Sequence, residues 1–264
     1  MFGKIKYHIL LGVIVLITTS SCQKVIELKL DNAEPQLVIE GTVTNQLVNQ
    51  TVKISQSVPF TNSNVFPGVS GAIVTITDNH GNIYNLTEGV PGTYVSPKFQ
   101  GHFGYAYTLT VQVNNKTYTA TSVMPIPVHF DGLSYKDDFF DSKKKLITVH
   151  YPDPFNAANQ YRFVLFINNV QAKAVIVNDD NFSNGRYVDF DLYQDRSDIK
   201  VGDNVIVEAQ CIDRNMFLYW FSLSQQQDNG GSGPTPSNPP SNLSNNALGY
   251  FSAHTIQRLA ITIQ

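Results

Sequence analysis

Residues 105–121, YAYTLTVQVNNKTYTAT, give the clearest indication of the fold. Large apolar side chains alternate with smaller or polar ones as far as Val113; Asn114 and Asn115 follow, and the alternation resumes after Lys116. A period of two residues is typical of a half-buried β-strand, and paired asparagines favour a tight turn because asparagine tolerates the left-handed backbone conformation. The stretch therefore predicts a β-hairpin with one buried face.

Similar runs of alternating apolar and polar residues lie on the N-terminal side of this hairpin. Between residues 36 and 124, short alternating runs are separated by Gly, Pro, Asn and Asp, so that about seven strands are expected. The runs begin at Leu37, Gln50, Ala72, Ile83, Thr93, Tyr105 and Lys116. This spacing predicts an antiparallel β-sandwich of immunoglobulin-like size over residues 36–124.

A second β-rich domain is expected over residues 128–264. The rigid segment Pro125-Ile126-Pro127 is the natural boundary. One helix is predicted at about residues 213–227, with Asp213 as its N-cap and apolar side chains near helical spacing.

The segment after this helix is predicted to be a long loop. Residues 228–246 consist mainly of Gly, Pro, Ser and Asn, which cannot form a core. Two closing strands are expected beyond it, over residues 247–253 and 256–263, so the loop is bracketed by ordered elements.

The N-terminus has the organisation of a bacterial export signal. Two lysines give a positive start, residues 9–17 are apolar but too short to cross a hydrocarbon core of about 30 Å, and small residues lead into Cys22. The ending resembles the lipobox of bacterial lipoproteins, whose cysteine is lipidated before the signal is cleaved. We therefore predict a signal peptide over residues 1–21, lipidation of Cys22 and a tether over residues 22–35.

Composition excludes several classes of protein. The 264 residues include 18 Lys and Arg against 21 Asp and Glu, a net charge of −3, so no broad basic surface for nucleic acid is expected. Two cysteines cannot form a disulfide framework or a four-cysteine zinc site. One of them, Cys211, lies in an apolar run, which predicts a buried thiol within a strand.

Residues 99–105 form the candidate ligand-binding loop. The run is Phe-Gln-Gly-His-Phe-Gly-Tyr, and its glycines allow aromatic side chains to project from a turn. Aromatic rings present large, rigid contact surfaces to sugars and peptides. We predict that Phe99, His102, Phe103 and Tyr105 contact a glycan or peptide ligand.

No motif in the sequence predicts catalysis, a bound metal or a cofactor. No pair of histidines has zinc-site spacing, and no nucleophile elbow, phosphate-binding loop or dinucleotide fingerprint occurs. Acidic residues form three clusters, which we interpret as solvated charges, with calcium binding as the alternative. Their members are Asp137, Asp138, Asp141, Asp179, Asp180, Asp189 and Asp191. A non-enzymatic protein is therefore predicted.

Seven segments carry a resemblance to a known family. The most specific piece is Asn238-Pro239-Pro240-Ser241-Asn242-Leu243 together with residues 247–253, and the others are residues 22–27, 35–41, 71–76, 91–94 and 107–109. Together they resemble an uncharacterised family of Bacteroidota lipoproteins with a domain of unknown function, family four-two-four-nine. The resemblance implies an outer-membrane lipoprotein with an immunoglobulin-like or carboxypeptidase-regulatory-like N-terminal sandwich, and it brings no catalytic residues.

The resemblance also implies a role in uptake. Members are often encoded beside TonB-dependent receptors, so the expected function is an accessory binding subunit held in the outer membrane by its lipid. Residues 23–27 partly resemble signals that send lipoproteins to the cell surface, with the periplasmic face as the alternative. Two other functions stay open: an independent surface adhesin for glycans or proteins, and a hydrolase whose site is assembled from distant residues.

Overall fold

The computed structural model describes residues 34–59, 65–139, 144–155, 157–193, 199–227 and 237–264. The predicted signal peptide, Cys22, the tether up to residue 33, Asp141 and the first half of the predicted loop lie outside these residues. The described chain contains fifteen β-strands and one helix, which confirms the prediction of a mainly β protein with a single helix. The specific likeness to an immunoglobulin fold stays a prediction. Within this part of the chain, no helix is long and apolar enough to span a membrane.

The first seven strands follow the alternation of the sequence. They are β1 (Leu37–Thr44), β2 (Val48–Gln56), β3 (Ile73–Asp78), β4 (Ile83–Glu88), β5 (Thr93–Phe99), β6 (Ala106–Val113) and β7 (Lys116–Val123). The predicted hairpin is the antiparallel pair β6 and β7, and both asparagines of its turn have positive φ. The strands follow one another as β1-β2-β5-β4-β3-β6-β7. This path folds over on itself, since a Cβ on Gly41 of β1 would lie 3.4 Å from Leu109 of β6.

The C-terminal half adds further strands and the helix. They are β8 (Gly132–Asp137), β9 (Lys145–Pro152), β10 (Gln160–Ile167), β11 (Val170–Gln171), β12 (Ile176–Asp179), β13 (Tyr187–Leu192), β14 (Asn204–Ile212), α1 (Arg214–Gln227) and β15 (Leu248–Thr262). Strands β13, β9 and β8 form a separate three-stranded antiparallel sheet. The other twelve strands form one large sheet. The inner side chains of the small sheet, among them Val149 and Tyr151, share one buried cluster with Phe163 and Val207 of the large sheet. The two sheets therefore pack face to face.

The last strand, β15, joins the two halves of the chain. Residues 248–254 pair in parallel with residues 38–44 of β1, and residues 255–262 pair antiparallel with residues 204–211 of β14. The prediction of two closing strands is wrong, because β15 runs through without a break. Through β15, strands of both halves form one sheet in the order β11-β10-β14-β15-β1-β2-β5-β4-β3-β6-β7, with β12 also paired to β10.

The N-terminal core also crosses the predicted domain boundary at residues 125–127. Leu243, Ala247, Phe251 and Ala253 belong to the same buried cluster as the strands of residues 36–124. The first sandwich is thus completed by residues from the end of the chain.

The helix α1 begins where β14 ends. Asp213 is its N-cap, as predicted: one carboxylate oxygen accepts the N–H of Met216 at 2.9 Å. The other oxygen accepts the Ser122 hydroxyl and, at 3.3 Å, the N–H of Val123, which ties the helix start to the end of β7. The buried side chains of α1 are Met216, Phe217, Tyr219 and Trp220.

Candidate functional site

The predicted ligand loop connects β5 to β6 and is braced by backbone hydrogen bonds. The N–H of Gly101 donates to Thr44 O at 2.9 Å, and the N–H of Gly104 donates to Met124 O at 2.8 Å. The N–H of His102 donates to the Tyr107 hydroxyl at 2.8 Å. Gly104 has a φ of +79°, a conformation that favours glycine. The loop backbone is therefore held in place while its tip faces solvent.

Four ring-bearing side chains form what we call the aromatic loop surface: His80, His102, Phe103 and Tyr105. The rings of His80 and Tyr105 are stacked at 3.7 Å, and the rings of His102 and Tyr105 lie 5.2 Å apart. Phe103 is 60% exposed and Tyr105 is half-buried. Such a surface can stack against a sugar ring or a peptide face.

His80 is the member of this surface that sequence reasoning did not find. It lies in the turn between β3 and β4, where the Asp78 carboxylate accepts the N–H groups of His80 and Asn82 at 2.9 and 3.0 Å. Burial alone would raise the pKa of Asp78, but the hydrogen bonds from Asn82 and His80 outweigh it and hold the pKa below its ordinary value. The run of residues 78–82, Asp-Asn-His-Gly-Asn, has the composition of a turn, but its closeness to Tyr105 depends on the pairing of β3 with β6.

The prediction that Phe99 contacts ligand is corrected by its burial. Phe99 is 7% exposed, and its ring stacks on Tyr84 at 3.7 Å. It also lies 6.5 Å from the ring of Tyr107, inside the core of the first sandwich. Phe99 is the last residue of β5, and its side chain packs in the core instead of projecting from the loop.

An open groove runs along the outer side of α1. It consists of two adjoining cavities of about 400 and 380 Å³ that share Leu218 and Pro240. Its other lining residues are Thr121, Asn215, Phe221, Ser222, Gln225, Gln226, Ser237, Ser241 and Asn242. None of these side chains carries a charge. Leu218, Phe221 and Pro240 give the apolar part of the lining, and amides and hydroxyls give most of the rest.

A polar relay lies on the outer face of the three-stranded sheet. Asp189 Oδ1 on β13 lies 2.6 Å from His150 Nδ1 on β9, and His150 Nε2 lies 2.7 Å from Ser134 Oγ on β8. The register places His150 directly opposite Asp189 on one side and opposite Gly132 on the other. The Asp189 side chain is 67% exposed, in agreement with its interpretation as a solvent-side residue. Ser134 and His150 were not connected by the sequence, because β8 was not predicted.

A second polar network lies between the large sheet and α1. The Arg162 guanidinium lies 3.7 Å above the Trp220 ring and donates to Gln210 Oε1 at 3.3 Å. Gln210 donates in turn to Glu208 at 2.8 Å, and Arg258 binds the same carboxylate at 2.9 Å. Burial lowers the pKa of Arg162 below its ordinary value. These contacts cross-link β10, β14 and β15 under the helix.

The remaining predicted features have structural explanations. Cys211 is buried in β14, as predicted, and burial raises the pKa of its thiol. Asp180 is not a solvated charge, because it is 8% exposed and accepts the N–H of Asn159 at 2.9 Å. Among the described residues, no group of three or more His, Cys, Asp or Glu side chains is placed to hold a metal ion.

Comparison with known proteins defines the family. The chain belongs to the family described as Domain of unknown function (DUF4249), whose model matches residues 23–259. The family assignment agrees with the resemblance seen in the sequence.

The other comparisons provide no evidence about function. A search of curated proteins finds no match. Among solved structures, the chain is similar to the Yersinia pseudotuberculosis adhesin InvE, at 17% identity with a TM-score of 0.22. That similarity covers 67% of this chain and 55% of the adhesin chain, so this chain spans about half of the adhesin's length. A TM-score at this level supports no argument about function.

Proposed function

We propose that this protein is a lipid-anchored binding subunit of the outer membrane that assists a TonB-dependent uptake system. The export signal ending at Cys22 supports the anchor, and the family resemblance supports the transport partner. In this role the protein captures a glycan or peptide, presents it to the receptor and catalyses no step of the uptake. The proposed location is the cell surface, in keeping with the residues that follow Cys22.

The observation that carries the binding role is Phe103 on its braced loop. The ring is 60% exposed although the loop backbone is fixed by bonds to β1, β6 and Met124. A rigid exposed aromatic side chain loses little conformational entropy when a ligand packs against it. His102 and Tyr105 belong to the same loop, and the ring of His80 stacks on Tyr105.

The test is a pull-down from cells that make the native lipoprotein with a C-terminal affinity tag. Intact envelopes are mildly crosslinked, solubilised in detergent and analysed by mass spectrometry. We expect one TonB-dependent receptor in near-stoichiometric amount. The Cys22→Ala variant should lose the membrane fraction, since it lacks the acyl chains that hold the protein there.

A second arm tests the aromatic loop surface on glycan and peptide arrays. Phe103→Ala should lower binding by about tenfold or more, because a central aromatic contact is commonly worth at least 2 kcal/mol. The matched control is Phe182→Ala, which removes a phenylalanine that is 92% exposed on another loop. Equal losses in both variants would contradict the proposed site.

The same experiments separate the alternatives. Recovery of the bait alone from membranes, with array binding intact, would replace the transport role by an independent adhesin. Absence of both receptor and array binding would end the binding role in either form. The hydrolase alternative depends on the relay of Ser134, His150 and Asp189.

A further inference from the structure

The relay of Ser134, His150 and Asp189 has the connectivity of a Ser-His-Asp triad. A carboxylate only accepts hydrogen bonds, so its contact at 2.6 Å assigns a proton to His150 Nδ1. The lone pair of Nε2 then faces the Ser134 hydroxyl at 2.7 Å. In this tautomer the imidazole can remove the hydroxyl proton, and the carboxylate stabilises the imidazolium that forms.

The neighbouring polar contacts on the same face differ from the relay. Asp191 binds the Lys136 ammonium at 2.6 Å and the Thr148 hydroxyl at 2.7 Å. That arrangement is an ion pair with a bound hydroxyl, in which the hydroxyl of Thr148 contacts a carboxylate directly and no imidazole stands between them. In the relay, by contrast, an imidazole stands between the carboxylate and the hydroxyl, which is the order that activates a nucleophile.

Ser134 is open to large molecules. Its side chain is exposed, and Gly132 beside it leaves space next to His150, because a Cβ built on Gly132 would have no heavy atom within 4 Å. Strand β8 is an edge strand of its sheet, so alternate N–H groups point away from β9. Backbone N–H groups of this kind can stabilise a developing oxyanion. Because Ser134 and Asp189 are exposed, the described part of this face is open, which suits a polymer and a short acyl group better than a long acyl chain.

We propose that Ser134 is the nucleophile of an esterase site that removes short acyl groups from the hydroxyls of a large polyol. Ser134 Oγ attacks the ester carbonyl carbon while its proton moves to His150 Nε2. The bond between that carbon and the polyol oxygen breaks, and the oxygen takes the proton from His150. Water then attacks the acyl-serine by the same proton transfers, which releases a carboxylic acid and restores Ser134.

This activity goes beyond the proposed binding role, and the two use different residues. The experiment treats the full-length protein in detergent micelles with a fluorophosphonate probe, and peptide mass spectrometry locates the modified residue. Hydrolysis of p-nitrophenyl acetate then gives kcat and KM. We expect probe on Ser134 in the native protein, and loss of both labelling and turnover in Ser134→Ala.

Asp189 is a positioning residue, because it acts through His150. Asp189→Asn should lower kcat by about tenfold or more with little change in KM, since it alters the base and leaves substrate contacts in place. The matched control is Asp137→Asn, which removes an exposed carboxylate on the opposite face of β8 and should keep wild-type kinetics.

Two results would overturn the proposal. One is labelling of Ser134 in the native protein no faster than in the urea-unfolded chain, a measurement that needs no variant. The other is ester hydrolysis by Ser134→Ala at the wild-type rate. Either result would show that the relay is a set of hydrogen-bonded polar side chains on a solvent-exposed sheet face, without a catalytic role. Phe103→Ala should not change this activity, so failure of the binding role and failure of the esterase can be told apart.

Discussion

At the residue scale, Asn242 occupies the place of a missing strand. The first half of β15 pairs with β1 on one edge only, and on the other edge the Phe251 N–H donates to Asn242 Oδ1 at 3.0 Å. The Asn242 amide donates back to the Phe251 carbonyl at 2.8 Å. Ser122 Oγ accepts the next free N–H, that of Ala253, at 2.8 Å. A side-chain amide thus reproduces the hydrogen bonds of a neighbouring strand.

We predict that Asn242→Ala lowers the free energy of unfolding by about 1–3 kcal/mol, because it leaves the buried backbone groups of Phe251 without partners. Urea unfolding followed by circular dichroism measures this change. Asn238→Ala, an exposed position in the same run, should stay within about 0.5 kcal/mol of wild type. Similar losses at the two positions would show that Asn242 has no special bonding role.

A second residue-scale prediction concerns pH and His254. Burial, together with the positive charge of Arg162, lowers the pKa of this histidine from 6.5 to about 4. The unfolded chain therefore gains a proton as pH falls through about 6.5, whereas the folded protein gains it only near 4. The free energy of unfolding should fall by roughly 3 kcal/mol as the pH falls across this window. Above the window His254 is neutral in both states and contributes no pH dependence.

The measurement compares urea unfolding between pH 4.5 and pH 7 in wild type and in His254→Asn. The variant should show a shallower pH dependence, whatever its absolute stability. His129→Asn is the control, since the side chain of His129 is 76% exposed. An unchanged slope in His254→Asn would mean that His254 is protonated in the folded protein.

Single residues also show what the sequence could and could not predict. Cys211 was correctly placed in a strand interior, because five of the seven other residues in the run 205–212 are apolar. Phe99 was assigned to ligand binding because it opens a glycine-rich run, yet it is the last residue of β5 and faces inward. Ser134 and His150 lie 16 residues apart, and only the register of β8 against β9 makes them neighbours.

At the element scale, the parallel pairing of β1 and β15 depends on Gly249. Its φ is +94°, and a Cβ there would lie 2.1 Å from the Ile39 carbonyl oxygen. We predict that Gly249→Ala costs at least about 3 kcal/mol of unfolding free energy, because backbone must move to relieve the clash. Thermal and urea unfolding of the variant test this value.

The control for this prediction has the same backbone conformation without the clash. Gly202 also has a φ of +94°, but a Cβ there meets no atom within 4 Å. Gly202→Ala should cost about 1–2 kcal/mol from the left-handed conformation alone. If the two variants were equally stable, close approach of β1 and β15 would not be what requires glycine at position 249.

The strands themselves were largely predictable, since half-buried strands carry their period in the sequence. The exceptions are informative. Strand β8 was missed although Leu133 and Tyr135 alternate with Ser134 and Lys136, because the run is short and lies beside an acidic cluster. The break expected within β15 does not occur, because a strand that changes partners shows no change in period.

At the scale of the whole molecule, the connection between the two halves could not be predicted. The pairing of residues 38–44 with 248–254 joins segments about 210 residues apart, and alternation says which residues face a core but not which strand lies alongside. The predicted sandwich over residues 36–124 therefore lacked one strand and four core side chains that come from residues 243–253.

This arrangement predicts that the described halves unfold together. Trp220 is the single tryptophan and lies in the C-terminal half, so its fluorescence reports that half, whereas far-ultraviolet circular dichroism reports all strands. The two signals should give the same urea midpoint, because β15 belongs to both cores. A fragment of residues 35–127 should show no cooperative transition, since it lacks β15, Leu243 and Ala247. A folded fragment would instead make the boundary at residues 125–127 a true limit between independent folding units, with β15 an addition to a sandwich that is already stable.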